Sequence, residues 1–193
     1  MIIGFLAGVL VGSLPTARLI AHRAGIDLSR GSGNPGANNA RRLGGWKPAG
    51  LILLVEMAKG AGVVVGAFAL VTDPTAVAAG IGVVAGNVYN PWHKLRGGQG
   101  LGAAAGVLLA AWPTGLAIGL ALIAIASKLL HSTYRGTIVT FAGLLVIATA
   151  ARVIGSPWGI DEGWIWLVAG LSALILPRQI RHLTRSGPPA SPG

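Results

Sequence analysis

Cysteine and charged side chains are both scarce in this sequence of 193 residues. Cysteine is absent, so neither a disulfide framework nor a cysteine-ligated metal site can form. Only 10% of the residues are charged, whereas a soluble domain carries about 25%. Because 53% of the residues are hydrophobic, the chain cannot cover a water-facing surface, and we expect lipid around it. The four histidines share no metal-ligand spacing, and no metal site is expected.

Acidic residues are the scarcest charged group. Five Asp and Glu face 15 Lys and Arg, which gives a formal net charge of +10. In a soluble protein this charge would suggest nucleic acid, but membrane proteins concentrate Lys and Arg in their cytoplasmic loops. We therefore expect no nucleic-acid partner. The lipid bilayer, anionic headgroups and phosphorylated substrates fit the charge better.

Seven apolar stretches predict an all-α integral membrane protein, a compact bundle of about seven short transmembrane helices. No alternating barrel pattern is present, and helices satisfy their own backbone groups in lipid. Several stretches are shorter than the roughly 20 residues that a full crossing needs. Glycine pairs at 62/66, 82/86, 102/106 and 115/119 predict close helix packing. The stretches cover residues 2–21, 48–71, 75–88, 101–112, 114–130, 137–154 and 163–177.

The basic residues predict how the chain lies in the membrane. Twelve Lys and Arg fall in the connections 22–47, 87–99 and 128–136 and in the tail from residue 178, whereas the opposite set carries only Arg152. The positive-inside rule then places the first set and the C-terminus in the cytoplasm and the N-terminus outside. We expect a single domain over residues 1–185. A disordered Pro/Gly/Ser-rich tail is expected over residues 186–193.

The first basic connection contains the pattern G-x-G-x-x-G, written GSGNPG over residues 31–36. The dinucleotide fingerprint of that form follows a strand, whereas this one follows an apolar helix, and it lacks the lysine of a P-loop. Its glycines still allow backbone amides to form an anion nest, and Arg41 and Arg42 add phosphate-binding charge. The alternative is a glycine-rich turn beside a solvated basic stripe.

The second basic connection ends in Gly97-Gly98-Gln99-Gly100 at the start of an apolar stretch. Free N–H groups and the dipole at a helix N-terminus favour an anion there. The alternative is a simple turn anchored among headgroups by Trp92. Two such loops on one side favour the anion site over either loop taken alone.

Glu56 and Lys59 lie inside an otherwise apolar stretch, three residues apart and so on one face of a helix. Ionisable residues at membrane depth are functional candidates. A local, self-neutralising pair is the equally weighted alternative.

These motifs, in this order, resemble the PlsY-type acyl-phosphate:glycerol-3-phosphate acyltransferases of bacteria. The matching stretches are residues 12–16 (GSLPT), 31–39 (GSGNPGANN), 56–60 (EMAKG) and 97–100 (GGQG). The resemblance implies a plasma-membrane enzyme of phospholipid synthesis that transfers a fatty acyl group from acyl phosphate to glycerol 3-phosphate, giving lysophosphatidic acid. No cofactor is implied, because acyl phosphate is already activated and the enzyme mainly aligns its substrates and neutralises charge.

The resemblance also assigns site residues, all on the cytoplasmic side and in one pocket for two phosphates. The implied catalytic residues are Ser32, Arg42 and Lys59. The implied substrate-binding residues come from both glycine-rich loops: Gly31, Gly33, Asn34, Gly36, Asn38, Asn39, Gly97, Gly98, Gln99 and Gly100.

Four residues depart from the motifs of that family: Asn87 stands for a histidine, Gln99 for a lysine, Asn38 for a threonine and Gln179 for an asparagine. A lost lysine matters because charge-assisted hydrogen bonds contribute roughly 1.5–3 kcal/mol against about 1 for neutral ones. The departures motivate an alternative, a catalytically impaired paralogue that binds lipid or phosphate or regulates a partner. A small transporter is less favoured, because its site would lie near the midplane and not in loops on one side.

Overall fold

The computed structural model describes residues 1–70, 72–154 and 162–185. Within these ranges the chain forms nine α-helices and no strand, which confirms the prediction of an all-α integral membrane protein. Each of the seven apolar stretches corresponds to helix. The helices are α1 (Ile2–Ser13), α2 (Thr16–Arg23), α3 (Ala37–Gly44), α4 (Trp46–Leu70), α5 (Asp73–Val88), α6 (Leu101–Ala111), α7 (Pro113–Leu129), α8 (Thr133–Ile154) and α9 (Glu162–Arg185).

Four helical segments of the described chain are long and apolar enough to cross a bilayer. They are Ile2–Arg23, Trp46–Leu70, Thr133–Ile154 and Gly163–Thr184. Helices α6 and α7 are apolar but shorter. The prediction that several helices fall short of a full crossing length is therefore confirmed.

The first predicted stretch, residues 2–21, is not one continuous helix, and this corrects the prediction. Helix α1 ends at Ser13 and α2 begins at Thr16. Pro15 lacks a backbone N–H, and its ring disfavours α-helical geometry at the preceding residue. Leu14 accordingly adopts φ −57° and ψ 126°, and the helix is interrupted there.

The basic connections contain more helix than predicted. The predicted loop 22–47 includes the eight-residue α3, with Gly36 before its first turn and Gly45, at φ +84°, after its last. Helix α9 continues through Pro177 to Arg185, beyond the predicted end at residue 177. A run of apolar residues predicts only the part of a helix that contacts lipid. Polar helical segments outside the bilayer are therefore not predicted by it.

Two compact units divide the chain, residues 1–113 and residues 114–193. In the first, α1 packs along α5 and α4 along α6, with α2 and α3 against α4. In the second, α8 packs along α9. The expected single domain stays a prediction, and the expected tail over residues 186–193 lies outside the described residues.

Glycine brings α1 and α5 into backbone contact. A Cβ atom placed on Gly8 would collide with the carbonyl oxygen of Ala79, and one on Gly82 with the carbonyl oxygen of Phe5. In lipid, where burial of apolar surface gives no advantage, such close packing is a main source of helix association. The predicted packing role of the 82/86 pair is confirmed.

Gly62 and Gly66 of α4 are a second correction. A Cβ atom on either residue would meet nothing within 4 Å, so neither glycine brings two helices together. Gly106 of α6 does bring two helices together, because a Cβ atom placed on it would collide with the carbonyl oxygen of Met57 in α4. Four-residue spacing alone does not distinguish a packed glycine from one that faces open space.

We expect Gly8→Ala to lower the thermal unfolding temperature of the detergent-purified protein clearly more than Gly62→Ala does. The first change overpacks a helix interface, at a cost of about 1–3 kcal/mol. The second adds helix propensity without a clash and serves as the matched control. Equal shifts for the two variants would contradict backbone packing between α1 and α5.

Candidate active site

Side chains from two other elements satisfy the interrupted end of α1. The carbonyl oxygens of Gly12 and Leu14 accept hydrogen bonds from the ammonium of Lys59, at 3.4 and 3.1 Å. The carbonyl oxygen of Ser13 accepts one from Nδ2 of Asn90, at 2.7 Å. Terminal carbonyls of a helix need such partners when water is excluded. These hydrogen bonds thus hold α4 and the loop after α5 beside the end of α1.

Glu56 of α4 is a buried carboxylate with three polar partners. Its Oε1 accepts a hydrogen bond from the Thr16 hydroxyl at 2.7 Å, and its Oε2 accepts one from Nδ2 of Asn87 at 2.5 Å. Oε2 also forms an ion pair with Lys59 at 2.8 Å. A buried charge is tolerated when it is paired and hydrogen-bonded. Residues of α2, α4 and α5 therefore converge on this one carboxylate.

Lys59 has acceptors for all three of its ammonium hydrogens: the carbonyl oxygens of Gly12 and Leu14 and the carboxylate of Glu56. The sequence left open whether Glu56 and Lys59 act in function or form a local pair. The two residues do form a local ion pair, and Lys59 of that pair bonds to the interrupted end of α1. The Glu56 carboxylate also lines a cavity and so remains a functional candidate.

Asn39 of α3 holds the first glycine loop, residues 24–36, in shape. Its Nδ2 donates to the carbonyl oxygens of Leu28 and Arg30, each at 3.0 Å, and its Oδ1 accepts from the backbone N–H of Ser32 at 3.0 Å. The residue is buried. With its amide fully engaged by the loop, Asn39 positions the loop rather than offering free hydrogen bonds to a ligand.

Gly31 and Gly33 lie in the left-handed region, with φ +64° and +66°. Residues with a side chain rarely adopt this conformation, so these two glycines of the GSGNPG pattern are required by the fold of the loop. At its beginning, the carboxylate of Asp27 accepts hydrogen bonds from the backbone and hydroxyl of Ser29. These bonds lower the pKa of Asp27.

The second glycine loop, residues 89–100, is attached to the end of α1. Nε1 of Trp92 donates to the Ser13 hydroxyl at 2.9 Å, beside the Asn90 contact with the Ser13 carbonyl. The loop closes where the N–H of Gly98 donates to the carbonyl oxygen of Asn87 at 3.0 Å. It ends at Gly100, at φ +79°, immediately before α6. Trp92 thus has a hydrogen-bonding role beyond an interfacial anchor.

The two glycine loops meet at a cavity of about 190 Å³, as the sequence analysis expected. Helices α3 and α6 both begin there, so two helix N-termini, with their free N–H groups and positive dipole ends, face the same space. Such an arrangement favours anions. The lining residues are Asn34, Pro35, Gly36, Ala37, Asn38, Ile52, Leu53, Glu56, Asn87, Gly98, Gln99, Gly100, Leu101 and Gly102.

Six of the thirteen expected site residues line this cavity. They are Asn34, Gly36, Asn38, Gly98, Gln99 and Gly100. Seven do not, and these are Gly31, Ser32, Gly33, Asn39, Arg42, Lys59 and Gly97. Among the seven, Ser32 and Arg42 are exposed. Lys59 and Asn39 are engaged by the protein itself.

A cleft of about 20 Å³ adjoins the cavity and shares Pro35, Glu56, Asn87 and Gly98 with it. Its further lining includes Arg18, His93, Arg96 and Gly97. Arg18 and His93 are not among the site residues predicted from the sequence. A charged residue one turn after a proline, inside an apolar stretch, is the signal that could have identified Arg18.

His93 is the histidine that lines this cleft. Its Nε2 is buried and has no hydrogen-bond partner in the described part of the chain. Burial and the nearby Arg18 guanidinium lower the pKa of the ring below its usual 6.5, so the imidazole is neutral at neutral pH. The positive charge of the cleft therefore comes from its two arginines.

Fold and cavity together define a class: an integral membrane protein of short helices with a polar cavity between two glycine loops, faced by two helix N-termini. Comparison with known proteins narrows it. The family model described as glycerol-3-phosphate acyltransferase matches residues 2–186. The chain belongs to the glycerol-3-phosphate acyltransferase family.

Individual relatives agree with this placement. A glycerol-3-phosphate acyltransferase of Shewanella loihica is 35% identical over 185 residues, which cover 93% of this chain and 86% of the relative. The crystal structure of PlsY, an integral membrane glycerol 3-phosphate acyltransferase, in its glycerol 3-phosphate form aligns with TM-score 0.82 at 22% identity. The alignment covers 95% of this chain and 90% of the PlsY chain. The lysophosphatidic acid form aligns with TM-score 0.80 at the same identity and the same coverage of each chain.

We expect Asn39→Ala to release the first glycine loop, because two backbone carbonyls and one N–H lose their buried partner at about 1–3 kcal/mol each. Hydrogen–deuterium exchange of residues 28–33 should rise strongly in the purified protein. Asn38→Ala is the matched control, since Asn38 lines the cavity and is exposed, and it should leave the exchange unchanged. Equal exchange in the two variants would show that Asn39 does not hold the loop.

Proposed function

We propose that this chain transfers an acyl group from an acyl phosphate to glycerol 3-phosphate. The acceptor hydroxyl oxygen bonds to the acyl carbonyl carbon, the bond from that carbon to the phosphate oxygen breaks, and the hydroxyl proton leaves with the inorganic phosphate. The product is lysophosphatidic acid. Family membership supports the acceptor and the reaction class, and the comparisons give no support to the alternative of an impaired paralogue.

The observation that carries the proposal is the pair of helix N-termini at one cavity. Both substrates carry a phosphate, and α3 and α6 each present a first turn to the shared space. Each N-terminus stabilises an anion through its free N–H groups. One phosphate at each terminus would hold the acceptor hydroxyl and the activated carbonyl next to each other.

An acyl phosphate needs no covalent intermediate on the protein. The mixed anhydride is already activated, so the protein's contribution is alignment and stabilisation of the charge that develops on the carbonyl and leaving oxygens. Asn34, Asn38 and Gln99 supply neutral amide donors in the cavity, and the loop backbone supplies N–H groups. Ser32 and Arg42, exposed on the first loop and α3, are proposed to close on the bound phosphate.

The arginines of the adjoining cleft supply charge where Asn87 and Gln99 are neutral. Nη2 of Arg18 donates to the backbone carbonyl of Arg96 at 3.5 Å, which brings both cations to the same cleft. We assign them electrostatic attraction of the second phosphate. The positive-inside rule predicts that this side of the protein faces the cytoplasm, where both phosphorylated substrates would be available.

The direct test is a product assay on the protein in nanodiscs. With palmitoyl phosphate and glycerol 3-phosphate, mass spectrometry should detect lysophosphatidic acid and one inorganic phosphate per product. The same assay with palmitoyl coenzyme A should give none. Product from the thioester alone would replace the proposed donor, and product from neither would end the proposed function.

Arg42→Ala should raise the KM for glycerol 3-phosphate by about ten- to hundredfold, the effect of losing one charge-assisted hydrogen bond of about 1.5–3 kcal/mol. Arg41→Ala is the matched control, because the Arg41 guanidinium lies 4.8 Å from the centroid of the Trp46 ring and is already engaged there. Steady-state kinetics with varied acceptor would measure both. A KM change of the same size in both variants would remove Arg42 from the site.

A further inference from the structure

The end of α3 and the beginning of α4 form a basic and aromatic surface, which we call the α3–α4 corner. Its members are Arg41 of α3 and Trp46 and Lys47 of α4, and all three side chains are exposed. Trp46 is 75% exposed, although tryptophan side chains are highly buried on average. Most of the indole surface is therefore available to a partner outside the chain.

The donors of the corner suit a phosphate group. The guanidinium of Arg41 lies 4.8 Å from the centroid of the Trp46 ring, a cation–π distance. A guanidinium has five N–H donors, and contact with a ring face leaves donors that can bind a phosphate in bidentate geometry. The indole N–H of Trp46 and the ammonium of Lys47 add two further kinds of donor. The corner can therefore attract an anion and also hydrogen-bond to it.

No carboxylate neutralises the corner within the part of the chain that the structure describes. The two ion pairs found there lie elsewhere, at Asp27 and at Glu56. The sequence as a whole has 15 Lys and Arg against five Asp and Glu. The counter-charge of Arg41 and Lys47 must therefore come from outside the protein.

The length of α4 places the corner among lipid headgroups. The helix, Trp46–Leu70, is long and apolar enough to cross a bilayer. Its 25 residues rise about 37 Å at about 1.5 Å per residue, whereas the hydrocarbon core is about 30 Å thick. Leu70 at the far end is apolar, so the excess length lies at the end that carries Trp46 and Lys47. Tryptophan is enriched in this interfacial layer.

Helix α3 connects the corner to the polar cavity. The helix has eight residues and is about 12 Å long. Ala37 and Asn38 of its first turn line the cavity, and Asn39 holds the first glycine loop. Arg41 lies in the last turn. A ligand bound to Arg41 and to α4 at once would restrain the same short helix that shapes the cavity.

We propose that the α3–α4 corner binds the headgroup phosphate of an anionic phospholipid of the surrounding bilayer, and that the bound lipid holds α3 in place. The observation that carries the inference is an arginine stacked on an exposed tryptophan beside a lysine, at headgroup depth and without a carboxylate. Phosphatidylcholine binds less well there, because its own ammonium group meets two basic side chains. The inference does not depend on the proposed function, since the ligand is bilayer lipid and not a substrate.

Native mass spectrometry of the detergent-purified protein tests lipid binding directly. The wild type should retain phosphatidylglycerol in preference to phosphatidylcholine. Lys47→Ala should weaken the apparent affinity for phosphatidylglycerol about fivefold, the effect of one basic residue beside an anionic headgroup. Lys128→Ala is the matched control, because Lys128 is an exposed lysine on the same predicted side and its loss changes the net charge equally. The affinity of this control should stay unchanged.

Two further variants test the stacked pair. Arg41→Lys keeps the charge but loses the bidentate guanidinium, and Trp46→Leu keeps apolar surface but loses the aromatic face and its N–H. Each should weaken phosphatidylglycerol binding about two- to fivefold. Arg135→Lys, at another exposed arginine, should not weaken it. Because all these side chains are exposed, the variants should unfold thermally close to the wild type.

Hydrogen–deuterium exchange tests the effect of the lipid on α3. In phosphatidylcholine nanodiscs, added phosphatidylglycerol should slow the exchange of amides 37–44 severalfold in the wild type. The slowing should be lost in Trp46→Leu and reduced in Arg41→Lys, whereas Arg135→Lys should keep it in full. None of these measurements uses turnover, so their outcome is independent of the product assay.

Three results would overturn the inference. Equal retention of the two lipids, or equal losses in Lys47→Ala and Lys128→Ala, would replace the site by diffuse attraction to a basic face. Inorganic phosphate that slows α3 exchange in phosphatidylcholine nanodiscs as strongly as phosphatidylglycerol does would assign the corner to a soluble anion. Lipid binding at the corner without a change in α3 exchange would refute the link to the cavity.

Discussion

The described site depends on one interrupted helix. Pro15 ends α1 inside an apolar stretch, and the carbonyls of residues 12–14 lose their helical partners. Lipid offers no hydrogen bonds, and an unsatisfied backbone group there costs several kcal/mol. Hydrogen-bond donors from elsewhere in the protein must therefore lie at this point, and Lys59 and Asn90 are those donors. A requirement of backbone chemistry thus fixes where α4 and the second glycine loop lie.

The first donor makes a further demand. A buried ammonium needs a counterion, and Glu56 supplies it at 2.8 Å. The carboxylate in turn has further lone pairs, and it accepts hydrogen bonds there from the side chains of Thr16 and Asn87. The result is a polar cluster that joins α2, α4 and α5 beside the start of α3 and α6. The cavity between the two glycine loops is what remains between these fixed elements, so its shape is set by the same hydrogen bonds that satisfy the interruption.

The sequence predicts the elements and the two loops well, but it predicts roles inside the loops less well. Seven apolar stretches and the GSGNPG and GGQG patterns indicate helices and glycine-rich loops, because those signals are local. Asn39 and Lys59 are polar residues in the right motifs, yet Asn39 bonds to backbone groups of the preceding loop and Lys59 bonds to carbonyls at the end of α1. Glycines at 62 and 66 share their spacing with packed pairs. Only three-dimensional contacts separate these cases, because they depend on which neighbour a helix meets.

The Glu56–Lys59 pair also has two different surroundings. Glu56 lines the cavity that the starts of α3 and α6 face, whereas Lys59 lies outside that cavity and donates to the carbonyls at the end of α1. The ammonium is therefore used up by the interruption of the helix. No Lys or Arg lines the cavity, so the groups there that can attract an anion are the free N–H groups of the two helix N-termini and the side-chain amides.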